Sequence, residues 1–346
     1  MSHHIGDLEN LETLTSFEEG IEHFKRLFHI EPKAVAYDLH PDYLSTQYAL
    51  SIQDIPKVEV QHHHAHIVSA MAENGIEGDV IGVALDGTGF GLDGTIWGGE
   101  FIKANLRGFD RLAHLKKVPM PGSSMAIKEP WRMAMVYLSE AFGDEATSLR
   151  IDLMKRIDPQ KWEILKRMIE KKINTPWTSS MGRLFDAISS LLSIRDEVHY
   201  EGQAAIELEM IADQGVKVVA TRNREEYLFH IHKDEMPIVI DPTEMIRGIV
   251  CNLIDGAPPS KISGKFHRTI SRLIVETCET IRFEEKLNRV ILSGGVFQNI
   301  FLLSLVTKEL KESGFEVYTH HLVPTNDGGI SLGQAVIAHM RLFQCA

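Results

Sequence analysis

The sequence holds only three cysteines, Cys251, Cys278 and Cys345, an odd and scattered set that excludes both a disulfide framework and a cysteine-ligated zinc site. It has no apolar run near the ~20 residues needed to cross a bilayer. Met1-Ser2-His3-His4 lacks the basic and apolar regions of a signal peptide, so a soluble, cytoplasmic protein with no membrane partner is the expectation. Basic residues are in deficit, 36 Lys and Arg against 48 Asp and Glu, and no basic run offsets the net charge of -12. A nucleic-acid backbone is therefore excluded as a partner, whereas a single nucleotide is not. Internal repeats and low-complexity linkers are also missing. What is there is 44% hydrophobic content over 346 residues, enough to bury a large core and to fill two lobes of ordinary size.

Histidine is concentrated in one place, with four of the seventeen in Gln61-His62-His63-His64-Ala65-His66. On a helix, His62 and His66 lie one turn apart on one face and both imidazoles reach a single metal ion, while His63 and His64 point elsewhere. The plain alternative is a polar histidine run on a solvated helix end. Val58-Glu59-Val60 reads as a strand running directly into the cluster, which sets the helix where open α/β sheets place their ligands. The cluster lacks the glutamate of His-Glu-x-x-His, so a zinc-protease mechanism has no base.

Elsewhere, spacing predicts alternating helices and strands. Ser16 and Glu19 form a capping-box pair ahead of Phe17, Ile21, Phe24 and Phe28, which predicts a helix starting there. Residues 34–37, 80–85 and 96–102 read as strands, and Asp86-Gly87-Thr88-Gly89 as a tight turn whose amides can face an anion. Residues 120–255 read as mostly helical, with a helix over 130–143 and short strands at 216–220, 227–232 and 237–240. Arg183 and Asp186 fall on an otherwise apolar helix and Glu207 on another, so they either face solvent or line a site. Near the end, the strand 290–292, the turn Ser293-Gly294-Gly295 and a helix beginning near Asn299 form a phosphate cradle, in which free backbone amides face negative charge. Asp327, from the later turn Asn326-Asp327-Gly328-Gly329, would complete a metal site with His62 and His66 and leave positions open for a ligand.

Six segments stand here in a telling order: Gln61 to His66, Asp86-Gly87-Thr88-Gly89, Glu129-Pro130-Trp131-Arg132, Tyr200-Glu201-Gly202-Gln203-Ala204-Ala205, Ser293-Gly294-Gly295-Val296-Phe297-Gln298-Asn299 and Asn326-Asp327-Gly328-Gly329. Together they make the chain similar, over essentially its whole length, to the C-terminal domain of the HypF carbamoyltransferase family. More distantly it resembles the O-carbamoyltransferase TobZ and TsaD of tRNA modification. The resemblance implies an α/β protein of the actin-like ATPase fold, two ribonuclease-H-like lobes with nucleotide between them. The lobes would span 1–77 and 78–346, the first lacking its opening strands and the second carrying a helical insertion at about 120–255. It also implies transfer of carbamoyl from carbamoyl adenylate to the C-terminal cysteine of a HypE-like acceptor protein, on the way to the cyanide ligand of nickel-iron hydrogenase. A YrdC-like domain or protein would form the adenylate from ATP and carbamoyl phosphate.

Carried over residue by residue, the resemblance implies His62, His66 and Asp327 as ligands of a divalent metal, iron or zinc, with Asp86 touching metal or phosphate. It places Lys128 and Arg132 beside the carbamoyl group. Gly87, Gly89, Asp186, Gly202, Glu207, Gly294, Gly295 and Asn299 would surround ATP, AMP or carbamoyl adenylate. Two alternatives share these residues, an O-carbamoyltransferase acting on a small-molecule hydroxyl and a truncated nucleotide-binding module without turnover. The chain departs from the pattern of the family it resembles at Gly122-Ser123-Ser124, where Gly-Gly-Asp is usual, so one carboxylate that the resemblance implies is missing. A first lobe without opening strands would also leave sheet edges unpaired, which favours a homodimer.

Overall fold

Short apolar strands alternating with amphipathic helices build two sheets of unequal size. The computed structural model describes residues 1–343 apart from 4, 7, 9 and 216–225, so the strand expected at 216–220 lies outside the described residues. Strands β1 (Val35–Asp38) and β2 (Lys57–Val60) pair in parallel as a separate two-stranded sheet. The larger sheet contains β3 (Val80–Phe90), β4 (Ile96–Ala104), β5 (Phe109–Leu115), β6 (Val118–Pro119), β7 (Trp177–Thr178), β8 (His230–His232), β9 (Ile238–Asp241), β10 (Arg289–Ser293) and β11 (Glu316–Tyr318). Its order is β11-β10-β3-β4-β5-β9-β8, with β7 beside β4 and β6 paired to β7. The strands β11, β10 and β3 run parallel, and β3, β4 and β5 antiparallel, so the sheet is mixed and the fold is α/β as expected.

The helices are α1 (Leu11–Leu27), α2 (Leu44–Ser51), α3 (His62–Glu73), α4 (Ser124–Lys128), α5 (Pro130–Phe142), α6 (Leu153–Arg156), α7 (Pro159–Glu170), α8 (Met181–Leu191), α9 (Gln203–Gly215), α10 (Thr243–Ile254), α11 (Pro259–Glu285), α12 (Ile300–Glu312) and α13 (Ile330–Leu342). The period of two in β3 explains how they are layered. Ile81, Val83 and Leu85 face a large core made with α5, α8, α11 and α12. Val80 and Ala84 face the other way, into a smaller core with Ile67, Val68 and Met71 of α3 and Ile337 of α13. Between them Gly82 leaves room for α3, since an added Cβ would stand 2.6 Å from Ile67 Cγ1. Thus α3 is packed between the larger sheet and α13, and its amino end is aimed by β2. On the small sheet, β1 pairs with β2 alone among the described residues, and its other edge carries no strand.

Two expectations are corrected here. Helix α1 begins at Leu11, not near Ser16, because Asn10 caps it with its side chain accepting from Thr13 N at 2.9 Å. Asparagine is as good an N-cap as serine, and the Ser16/Glu19 pair is left in mid-helix. Asp86-Gly87-Thr88-Gly89 is not a turn but part of β3, where the register with β4 shifts between Leu85 and Gly89. Such a bulge re-aims a side chain without ending the strand.

Candidate metal and nucleotide site

The histidine segment forms the first turns of α3, capped by Gln61, whose side chain accepts from His64 N at 2.9 Å. All four histidines are at most 1% exposed, which removes the solvated-run alternative. His62 Nε2 lies 3.2 Å from Asp86 Oδ2 and 3.4 Å from Asp327 Oδ1. His66 Nε2 lies 3.0 Å and 3.4 Å from the same two oxygens. These four donor atoms all fall within 4.8 Å of one another. The bulge in β3 supplies Asp86 and the short turn Asp327–Gly329 supplies Asp327, whose side chain is 62% exposed at the mouth of the site.

The electrostatics follow from this crowding. Burial alone would raise the Asp86 carboxyl, yet His66 and His62 beside it hold it well below the usual carboxylate range. Burial alone would depress His62, yet Asp327, Asp38 and Asp86 raise it well above an ordinary imidazole. Two imidazole nitrogens and two carboxylate oxygens gathered this closely, with Asp86 buried and Asp327 open to solvent, are a donor set that could hold one divalent cation. His63 and His64 behave differently, since burial pushes them down to about 3 and about 4. His63 turns toward Trp97, and His64 Nε2 lies 2.7 Å from the Asn105 carbonyl.

Asp38 is a site residue that the sequence reading did not single out. At the end of β1 its Oδ2 lies 2.8 Å from His62 Nδ1, which fixes the ring and leaves Nε2 for the cluster. A carboxylate at the carboxyl end of a strand was the available signal. Asp38→Ala is expected to weaken metal binding by roughly 10- to 100-fold, the usual loss for an outer partner of a ligating histidine, as read by chelator competition.

Glycines let these segments meet. At Gly89 an added Cβ would stand 2.5 Å from His63 Cε1, and at Gly294, with φ +107°, it would stand 2.2 Å from Leu85 O. The expectation of free amides in the Ser293-Gly294-Gly295 turn needs correction. Gly294 N donates to Thr325 O at 3.0 Å and Gly295 N to Asp86 Oδ1 at 3.0 Å, so both amides are spent within the chain. The turn aligns Asp86 rather than offering those two donors to a ligand.

Beside the cluster opens a cleft of about 510 Å³, lined by Asp86, Gly87, Arg183, Asp186, Gly202, Glu209, Gly295, Gln298, Asn299 and Asp327 among others. Arg183 Nη2 stands 2.7 Å from Asp186 Oδ2. Arg183 Nε and that same Asp186 oxygen are nonetheless buried without a hydrogen-bond partner, the oxygen being met by the guanidinium only as an ion pair. Burial raises the Asp186 carboxyl. Orphaned polar atoms on a cleft wall are what a polar ligand would satisfy. Asn299 caps α12 through Leu302 N at 2.8 Å and reaches His267 Nε2 at 2.9 Å, so it shapes the wall. A second, larger cavity of about 1080 Å³, mostly apolar, runs between α1, α2 and α13 along β1 and reaches Asp38 and Asp327.

Several predicted residues do not join the cleft. Glu207 turns away to Arg195 Nε at 2.6 Å and Gln203 at 3.0 Å, because its side of α9 faces that cation. Gly89 and Gly294 lie beneath the site as spacers. Lys128 is exposed at the end of α4, and Arg132 pairs with Glu129 while its guanidinium packs against Gly122. Neither basic residue lines the cleft, and the Gly122-Ser123-Ser124 departure therefore sits beside Arg132 rather than at the metal.

The class of protein to which this α/β chain belongs is the Kae1-like one. Residues 82–334 match the family model described as "Carbamoyltransferase, Kae1-like Domain, second subdomain", and residues 1–73 match "HypF Kae1-like domain". The chain belongs to the HypF carbamoyltransferase family. It is 38% identical to carbamoyltransferase HypF of Synechocystis sp. over 347 residues, covering 96% of this chain and 44% of that protein. The chain thus spans less than half the length of that relative. It is 33% identical to a carbamoyltransferase HypF homolog of Cupriavidus necator, covering 96% of this chain and 84% of the relative. The crystal structure of full-length HypF in its phosphate- and nucleotide-bound form superposes with TM-score 0.92 at 46% identity, over 100% of this chain and 52% of that one. T. kodakarensis HypF gives TM-score 0.87 at 31% identity, over 99% and 44%.

Proposed function

We propose that this chain performs the carbamoyl-transfer half of a HypF-type reaction, holding carbamoyl adenylate in the cleft and passing its carbamoyl group to an acceptor nucleophile. The observation that carries this reading is the convergence of His62, His66, Asp86 and Asp327 at the edge of a cleft whose Arg183 and Asp186 keep unpartnered buried atoms. Two imidazole nitrogens and two carboxylate oxygens fit iron(II) or zinc. When bound, such an ion acts as a Lewis acid toward a carbonyl or phosphoryl oxygen. Asp38 holds the His62 ring in place, Gly295 N holds Asp86, and Asp186 offers an acceptor to ribose hydroxyls. That full-length HypF is known in a phosphate- and nucleotide-bound form supports nucleotide binding in this reading.

The acceptor comes from outside the chain. Among the described residues no cysteine lines the cleft, since Cys278 is buried in the core and Cys251 lies on α10. A thiolate at the C-terminus of a HypE-like protein attacks the carbamoyl carbon, the bond from that carbon to phosphate oxygen breaks, and AMP leaves. In this reading the adenylate comes from a YrdC-like domain or protein, the whole acts in the cytoplasm, and a second copy of the chain is a further partner. No described helix is long and apolar enough to cross a membrane.

The test is to give the metal-loaded chain preformed carbamoyl adenylate and a peptide ending in cysteine, then follow both by mass spectrometry. Carbamoylated peptide and AMP are expected, and ATP with carbamoyl phosphate should give no pyrophosphate. A folded, metal-loaded sample that releases no AMP from preformed adenylate would sink the reading.

A further inference from the structure

One buried chain of polar side chains has no part in the reaction described above. Ser293, the last residue of β10, places Oγ 2.9 Å from His320 Nε2, and His320 Nδ1 lies 3.1 Å from Glu73 Oε2. Ser293 is fully buried, and the His320 and Glu73 side chains are 5% and 7% exposed. Burial would raise the Glu73 carboxyl, but the backbone N–H groups of Leu322 and His321 and the His320 ring hold it below its usual range. Glu73 is therefore an acceptor, His320 donates its Nδ1–H to it, and His320 Nε2 accepts the Ser293 hydroxyl. Serine, histidine and carboxylate in that order suggest an acyl-transfer nucleophile. The sealed Ser293 hydroxyl lines neither cavity, however, so no substrate carbonyl reaches it.

What the relay joins is three segments that each carry part of the metal site. Glu73 ends α3, which bears His62 and His66. Ser293 leads into Gly295, whose amide holds Asp86. His320 opens the segment that ends in Asp327, and Glu73 also accepts from the backbone N–H groups of His321, Leu322 and Val323. Asp327 needs such support, because its carboxylate is largely exposed and stands on a three-residue turn.

We propose that Glu73, His320 and Ser293 form a positioning strut that fixes the 320–329 segment, and through it Asp327, against α3 and the end of β10. The proposal rests on the metal reading given above. Loss of the strut weakens the site without removing a ligand.

The experiment measures zinc(II) affinity by chelator competition, together with amide hydrogen exchange of residues 325–329 in metal-free protein. His320→Ala should weaken zinc binding by about 10-fold or more, in the range for lost outer partners, and speed local exchange. His320→Asn, whose side-chain amide copies the Nδ1–H, should recover most of both readouts. Ser293→Ala deletes one hydroxyl and leaves a methyl in the same space, so it tests the strut without threatening the fold and should move both readouts in the same direction by less. Unchanged affinity in folded His320→Ala and Ser293→Ala overturns the proposal, whether or not exchange quickens. His62→Ala runs alongside: if it binds zinc like the parent, the metal reading falls, while the exchange data still decide whether the strut holds the segment.

Discussion

Replacing His62 or His66 with alanine is expected to empty the metal site, taking bound metal from about one equivalent to below about a tenth of that in a purified sample, because a single-ion site of this donor set tolerates no missing imidazole. Each nitrogen stands within 3.4 Å of both carboxylates, so each imidazole is one of only two nitrogen donors in the four-atom cluster. Asp86→Asn should have nearly the same effect, since Asp86 Oδ2 faces both rings while its Oδ1 is held by Gly295 and by its own neighbour, Gly87. His63→Ala is the control. Its ring is buried against Trp97 and contributes no atom to the cluster, so the variant should keep its metal while losing roughly 2 kcal/mol or more of stability to the cavity left behind. Elemental analysis of the four proteins decides the matter. Metal retained in both His62→Ala and His66→Ala would end the assignment.

The second large effect is expected at Gly333, where nothing in the site is touched. On α13 this glycine meets α3 so closely that an added Cβ would stand 1.9 Å from Ala65 O and 2.9 Å from Ser69 N. Backbone cannot yield as a flexible side chain does, so Gly333→Ala must push the two helices apart. Overpacking commonly costs about 1–3 kcal/mol, and the contact with fixed backbone places this variant at or above the top of that range. Parting the helices also breaks the hydrogen bond from Ser69 Oγ to Gly329 O at 2.8 Å and shifts Asp327, two residues before that carbonyl. Gly20→Ala gives the matched comparison, because Gly20 also lies inside a helix but has nothing within 4 Å of its missing Cβ. It should be neutral or stabilising by up to about 1 kcal/mol. Urea midpoints for the two variants that moved together would show that α13 and α3 are not in the contact described.

These residues also show what could and could not be read in advance. Local signals were sufficient where the cause is local. Pro130 and Gly143 bracket α5, Asn299 caps α12, and the spacing of His62 and His66 puts both rings on one face of α3. The reading was wrong where two local signals compete, as at α1, where Asn10 supplies an earlier cap than Ser16. It was also wrong where the partner is remote. Asp86-Gly87-Thr88-Gly89 has the composition of a turn, but pairing with β4 keeps it in a strand and converts the extra residues into a bulge. Glu207 and Arg132 have the chemistry of site residues and are claimed instead by Arg195 and Glu129. Asp38 and Gly333 carry no signal of spacing at all, because the first matters through His62 and the second through Ala65, each far away along the chain.

The closing of α13 over α3 has a consequence for how the site comes into being. Ser69 and Gly329 are 260 residues apart in sequence, and Asp327 is separated from His62 and His66 by slightly more. Contacts of such span form late and slowly, since a long loop must be closed before any of them is rewarded. On the ribosome, the histidine-bearing helix emerges long before the carboxylate that faces it has been made. The nascent chain can offer a passing ion two imidazoles and Asp86, but the fourth donor and the helix that clamps α3 arrive only with the last residues described here. Capture of an ion by the proposed four-donor site would thereby follow translation of the 327–342 region, so that the finished cluster and the folded cleft beside it appear together.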